Sequence, residues 1–211
     1  MSLDLFPDTL ALPGLTYLPG FALGEEADLV RAVMALAKAA PFRRMKTPGG
    51  KEMSAAMTNC GAAGWVSDAK GKGYRYARQD PLSGTPWPEM PGLFRDLAVR
   101  GAAAGGFAGF VPDMALINRY EPGAKMTLHQ DIDERDFSAP IVSVSLGLPA
   151  VFLWGGLSRT DKPARLPLNS GDVLVWGGAA RKFFHGIAPV KPGVHELTGA
   201  ARLNLTFRRA L

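Results

Sequence analysis

The stretch Met126-Thr127-Leu128-His129-Gln130-Asp131 ends in an imidazole and a carboxylate two positions apart. Side-chain direction on an extended segment alternates with period 2, so His129 and Asp131 point to the same side of a strand. Two such groups are two thirds of a metal site. Alone, the H-x-D pattern is weak, because most such tripeptides lie on solvated loops. Its meaning depends on what the neighbouring segments add.

Those segments are short and strand-like. Alternating or apolar runs occur at 114–120, 126–131, 141–146, 151–154, 165–168, 173–176, 183–187 and 202–208. Turn formers separate them: Glu121-Pro122-Gly123, Gly155-Gly156, Asn169-Ser170-Gly171 and Lys191-Pro192-Gly193. About eight short strands with no helix between them predict a β-sandwich or jelly roll rather than a parallel α/β sheet. No internal repeat or low-complexity tract interrupts the pattern.

Upstream the texture differs. Residues 1–23 are Pro-rich and extended, and Leu15-Thr16-Tyr17-Leu18 suits an edge strand. Glu25 and Glu26 are placed for the positive end of a helix. Leu29, Val30, Val33, Leu36, Ala37 and Ala40 follow at helical spacing until Pro41 stops it. This amphipathic helix is expected to pack on the sheet. A second helix is expected from Pro91, as its first residue, to Ala104, closed by Gly105-Gly106. The stretch 43–91 between them is rich in Gly, Pro and polar residues and reads as short strands and loops forming a lid. The chain thus divides into an extension with two helices and a lid (1–112) and a β core (113–211), forming one compact catalytic unit.

At 211 residues, 47% hydrophobic and 20% charged, the composition is that of a soluble globular protein. No apolar run approaches the ~18 residues of a membrane span, and no signal peptide is visible. The single Cys60 excludes an internal disulfide framework and reads as a buried hydrophobe in a reducing, cytoplasmic setting. The net charge is +5. Between Pro41 and Asp80 eight basic residues (Arg43, Arg44, Lys46, Lys51, Lys70, Lys72, Arg75, Arg78) face three acids (Glu52, Asp68, Asp80), so this segment alone carries an excess equal to the net charge of the chain. Basic groups interleaved with Trp65, Tyr74 and Tyr76 suit phosphate contacts and stacking of bases, or else a solvated loop.

Alternation on the last strand is the second clue. Leu203, Leu205 and Phe207 share one face; Arg202, Asn204, Thr206 and Arg208 share the other. Asn118 and Tyr120 form a similar pair, as do Ser143 and Ser145. The polar face is either solvated, the common case for an antiparallel sheet, or the lining of a barrel. In a barrel its arginines need anions, since an unpaired buried charge costs several kcal/mol. With His185, the H-x-D would complete a 2-His-1-carboxylate triad, the arrangement of non-haem Fe(II) sites with open positions. Those positions take a bidentate 2-oxoacid, whose remote carboxylate suits an arginine fork.

From Met114 to Arg209 the chain closely resembles the AlkB family of Fe(II)/2-oxoglutarate-dependent nucleic-acid dealkylases. The matching runs are Leu116-Ile117-Asn118-Arg119-Tyr120, Leu128-His129-Gln130-Asp131, residues 141–149, 171–178, Phe184-His185-Gly186-Ile187 and Arg202-Leu203-Asn204-Leu205-Thr206-Phe207-Arg208. Similarity extends back through Thr58-Asn59-Cys60-Gly61 and Pro86-Trp87-Pro88.

The resemblance implies a double-stranded β-helix with an N-terminal nucleotide-recognition lid. It implies that His129, Asp131 and His185 bind Fe(II), and that Asn118, Tyr120, Arg202, Asn204 and Arg208 bind 2-oxoglutarate. It places Trp65, Tyr74, Arg75 and Tyr76 against the damaged base or its flanking phosphates, Asp133 against the exocyclic edge of the base, and Arg159 at another substrate contact. The implied activity is oxidative demethylation of bases such as 1-methyladenine and 3-methylcytosine in DNA or RNA, with release of formaldehyde, succinate and CO2. A base must leave the stack to be reached, so single strands or a flipped base are expected, acted on by a monomer. Other readings are a 2-oxoglutarate oxygenase acting on RNA or protein, and a non-catalytic nucleic-acid-binding module. His195 receives no role, and Trp154 and Trp176 are expected in the core. Apart from the resemblance, Asp133, Glu134 and Asp136 read as a solvated loop.

Overall fold

The computed structural model describes residues 12–67 and 73–211. The first part of the extended N-terminal run, and Asp68, Lys70 and Lys72 of the basic segment, lie outside the described residues.

In chain order the elements are β1 (Leu15–Leu18), α1 (Glu26–Ala39), β2 (Ala56–Gly61), β3 (Gly64–Val66), β4 (Arg75–Ala77) and α2 (Gly92–Ala104). Then follow β5 (Met114–Tyr120), β6 (Met126–His129), β7 (Ile141–Gly147), β8 (Ala150–Trp154), β9 (Ala164–Leu168), β10 (Val173–Trp176), β11 (His185–Ile187) and β12 (Arg202–Arg208). All the strand pairs are antiparallel. The larger sheet has the order β1-β10-β7-β12-β5-β2, and the smaller one β6-β11-β8-β9. Strands β5 to β12 thus divide four and four, the jelly roll expected from the sequence, and β1 and β2 extend the larger sheet at its two edges. Strands from both sides of residue 112 therefore share that sheet.

Helix α1 carries Glu26 and Asp28 in its first turn and Lys38 in its last, matching its dipole. Its buried Leu29, Val30, Val33 and Leu36 join Phe94 and Leu97 of α2 in one cluster with Val142, Val144, Leu203, Leu205 and Phe207. The helices cover the outer face of the larger sheet. The opposite sides of the same strands face the smaller sheet through Tyr120, Ile141, Phe152, Trp154, Leu174 and Trp176. All seven residues of β12 are consequently buried. The polar face of this strand is not wet, because a second sheet lies over it. Trp154 and Trp176 are core residues, at 3% and 1% exposure.

Several strand ends shift by one or two residues, and three differences from the sequence reading bear on the site. Pro91 caps α2 from outside, with extended ψ of 142°, so the helix begins at Gly92. Strand β6 stops at His129 rather than Asp131, because the next groups are taken by side chains: Gln130 Nε2 donates to Lys182 O (2.6 Å) and Arg181 Nη1 to Asp131 O (2.8 Å). Residues 56–61, read as part of a lid, form β2 and pair with β5 in the main sheet. Within the stretch read as a lid, β3 and β4 form a separate two-stranded sheet in which Trp65 lies opposite Tyr76.

Candidate metal and co-substrate site

Strands β6 and β11 place His129 directly opposite His185, with ring centroids 4.5 Å apart. Each ring is oriented by its own chain: Nδ1 lies 2.9 Å from Thr127 O for His129 and 3.0 Å from Phe183 O for His185. A neutral imidazole that donates from Nδ1 keeps its Nε2 lone pair free, the tautomer a metal ligand needs. Both Nε2 atoms face Asp131, at 3.8 Å from Oδ1 for His129 and 3.5 Å from Oδ2 for His185. Ligand atoms of the three residues lie within 4.8 Å of one another. Burial, reinforced by the His185 ring, holds His129 well below the usual imidazole range, which keeps it neutral at pH 7. Burial works against the charge on Asp131, yet the Arg208 guanidinium outweighs it and holds that carboxyl well below its usual range. Two imidazoles and a carboxylate are a donor set that fits Fe(II).

The buried polar face of β12 adjoins this triad. Arg208 Nη2 donates to Asp131 Oδ2 at 2.8 Å. Arg202 is 1% exposed, donates to Ser145 Oγ at 2.8 Å and lies 5.1 Å above the Tyr120 ring. Its Nε and Nη1 are buried without a hydrogen-bond partner, and no carboxylate pairs with it among the described residues. Asn118 Oδ1 is likewise unpartnered, at an amide whose two ends interchange by a flip. A cationic fork and an amide left unsatisfied inside a barrel fit a dicarboxylate such as 2-oxoglutarate. Asn204 is placed with them on the sheet, opposite Asn118, but its amide is engaged by Ser143 Oγ (2.8 Å) and Val144 O (3.0 Å).

The residues named for substrate fall into three settings. Trp65 stacks on exposed Tyr74 at 5.3 Å, and its indole N–H donates to Asp133 Oδ2 at 2.7 Å. Tyr76 turns inward and donates to Glu134 Oε1 at 2.6 Å. Arg75 Nη1 donates to Gly73 O (3.1 Å), and Arg159 lies 6.0 Å over the ring of Phe184, the neighbour of His185 in the chain. Within the basic segment, Arg43 is paired to Asp80 (2.6 Å) and packed on Trp87, and Arg44 is paired to Glu121 (2.8 Å). Of the segment's excess charge, that on Arg44 is offset by an acid from outside the segment, in an exposed pair.

Sequence reasoning missed two residues. Glu134, read as a loop acid, is 5% exposed, and Arg181 is 2% exposed; they pair at 3.1 Å, and Arg181 also donates to Asp131 O. No local pattern marks either, because an acid in a run of acids and an Arg beside Lys182 look like surface. His195 is in a bend paired with Gly199, 3.4 Å from Glu26 Oε1, and belongs to neither part of the site.

The sequence pattern of the 2OG-Fe(II) oxygenase superfamily matches residues 14–208. The chain is 53% identical to the alpha-ketoglutarate-dependent dioxygenase AlkB of Escherichia coli strain K12, covering 99% of this chain and 98% of that one. It is 52% identical to the same-named enzyme of Salmonella typhimurium, again over 99% and 98%. A solved structure of OsALKBH1 superposes with a TM-score of 0.80 at 31% identity, covering 93% of this chain and 97% of the other.

Proposed function

The chain belongs to the 2OG-Fe(II) oxygenase superfamily and, within it, to the AlkB family, and from that membership we propose oxidative removal of alkyl groups from nucleic-acid bases. The observation that carries this reading is the pairing of a triad, His129-Asp131-His185, with a buried arginine that has no carboxylate of its own. When bound, Fe(II) and 2-oxoglutarate supply oxidising power from O2, with succinate and CO2 as co-products, and deliver one oxygen atom to an N-alkyl carbon. The hydroxylated methyl group then leaves as formaldehyde and restores the base.

The protein's own groups hold and orient. His129, Asp131 and His185 bind the metal through Nε2, carboxylate and Nε2. Arg208, already on Asp131, takes the co-substrate carboxylate nearer the metal, and Arg202 the remote one, with Tyr120 stacked beneath it and Asn118 and Asn204 beside it. Burial of this pocket under two sheets strengthens each charge interaction and excludes water. Trp65 and Tyr74 offer stacking faces to an extruded base, and Tyr76 closes the inner wall. Asp133 accepts from an exocyclic amino group, which favours methylated adenine and cytosine. Arg75 and Arg159 serve flanking phosphates and base. Residues 1–112 thus contribute the lid and 113–211 the catalytic barrel. The substrate is DNA or RNA, single-stranded or with the target base flipped, and the enzyme acts as a cytoplasmic monomer. No helix among the described residues is long and apolar enough to cross a membrane.

The test is succinate and formaldehyde release on oligonucleotides carrying 1-methyladenine or 3-methylcytosine. His129→Ala is expected to abolish lesion-dependent succinate formation while oligonucleotide binding persists. Dealkylation that survives this substitution would overturn the iron assignment.

A further inference from the structure

Glu134 is a buried acid that binding of metal and co-substrate leaves unexplained. Its side chain is 1% exposed and lies between two buried arginines. Oε2 is 3.1 Å from Arg181 Nη2; Oε1 is 3.4 Å from Arg208 Nε and accepts from the Tyr76 hydroxyl at 2.6 Å. The Tyr76 hydroxyl in turn accepts from Arg208 Nη1 at 2.9 Å. The geometry points to Glu134 as a positioning residue: together with Tyr76 it fixes the Arg208 guanidinium for the co-substrate carboxylate, and so ties the lid hairpin to the co-substrate pocket. This rests on the assignment of Arg208 to 2-oxoglutarate given above.

Three observations support it. First, a guanidinium has five N–H groups. Asp131 takes one on Nη2 and Tyr76 one on Nη1, while Nε lies 3.4 Å from Glu134 Oε1 as an ion pair without a hydrogen bond. One N–H remains on each terminal nitrogen, a number that matches the two oxygens of a carboxylate. Second, Arg181 holds the other Glu134 oxygen by charge, in an ion pair of 3.1 Å without a hydrogen bond. Arg181 is itself fixed by Asp131 O (2.8 Å), Ala139 O (3.1 Å) and the Phe137 ring. Third, Tyr76 belongs to β4 and lies opposite Trp65, so its hydroxyl reaches Arg208 only when the hairpin is seated. Without these two partners, Asp131 is the only remaining acceptor among those holding Arg208, and the guanidinium would turn toward the metal ligand.

The sign of one substitution separates positioning from a simple charge effect. Glu134→Gln leaves two arginines against a single carboxylate, and surplus positive charge by itself draws a dianion more tightly. Loss of position weakens it. The experiment is calorimetric titration of 2-oxoglutarate into the Mn(II)-loaded full chain, for the parent, Tyr76→Phe, Glu134→Gln and the double variant. Each single substitution is expected to weaken binding by about 5-fold or more, and the double by no more than about 2-fold beyond the weaker single, because both act through one guanidinium. Unchanged or tighter binding by Glu134→Gln, or factors that multiply in the double variant, would overturn the role. If circular dichroism shows Glu134→Gln unfolded, Tyr76→Phe reads the same link from the lid side, and parental affinity there overturns it. A parent chain that binds no 2-oxoglutarate would overturn the functional reading together with this one, a result distinct from variants that bind as the parent does.

Discussion

Arg202 and Arg208 lie on one face of β12, but their surroundings differ. Arg208 meets Asp131, Glu134 and Tyr76, whereas Arg202 has a hydroxyl and an aromatic ring. A buried charge without a counter-ion is destabilising until a ligand supplies one. Arg202→Met should therefore leave the melting temperature of the ligand-free protein unchanged or raised. The same change should weaken 2-oxoglutarate binding by about 30-fold or more, the cost of removing one member of a buried ion pair. Differential scanning fluorimetry and calorimetry measure the two effects; a large loss of ligand-free stability with affinity intact would show that Arg202 is structural. Cys60 gives a second prediction at this scale. It is 0% exposed, and burial pushes its thiol up to about 12. Folding therefore favours the protonated form, a contribution complete below the thiol's unfolded pKa and lost as pH climbs toward 12. At pH 8 iodoacetamide should leave the native protein unmodified and label it fully in urea. Rapid native labelling would contradict the burial.

At the scale of elements, the β3–β4 hairpin forms a sheet of its own and is held to the rest of the molecule by side chains, Asn59 of β2 and Arg208 of β12 among them. Trp65 reaches Asp133, Tyr76 reaches Glu134, and Trp87 donates to Ala77 O at 2.9 Å. Gly64 lies flat against the Trp87 ring, and a methyl group there would fall inside the indole's contact radius. Trp87 is 5% exposed and hydrogen-bonded, so it cannot simply move aside. Gly64→Ala should unseat the hairpin, at a cost of about 1–3 kcal/mol typical of overpacking. Binding of a methylated oligonucleotide, followed by fluorescence anisotropy, should weaken far more than the affinity for Mn(II). Equal losses of both would mean that the hairpin and the barrel unfold as one unit.

For the whole molecule, the site joins distant parts of the chain. The proposed metal ligands come from β6, the turn after it and β11, the proposed co-substrate residues from β5 and β12, and the proposed lid from β3 and β4. A ligand that binds only the folded state stabilises it by mass action, about 2.7 kcal/mol at 100 times its dissociation constant. Mn(II) with 2-oxoglutarate at that excess should raise the melting temperature by roughly 5–10 °C for a chain of this size. Adding EDTA should reverse the shift, and His129→Ala should not show it. A shift that persists in EDTA would mean that 2-oxoglutarate binds without the metal.

The amino-acid pattern alone determined the strand-rich core, the two helices, and the grouping of Arg202, Asn204, Thr206 and Arg208 on one face. These follow from period-2 and helical spacing, which are local properties of the chain. H-x-D and His185 could be named as candidate ligands from the residues, but only the wider resemblance favoured that reading, because nothing local distinguishes a ligand histidine from one packed beside Phe183 and Phe184. Only the tertiary structure decided that the arginine face is dry, that residues 56–61 belong to the main sheet, and that Glu134 is buried. Burial depends on which sheet lies opposite, a contact between residues far apart in sequence. For Glu134 those residues are Tyr76, Arg181 and Arg208, and no spacing in the chain announces that they meet.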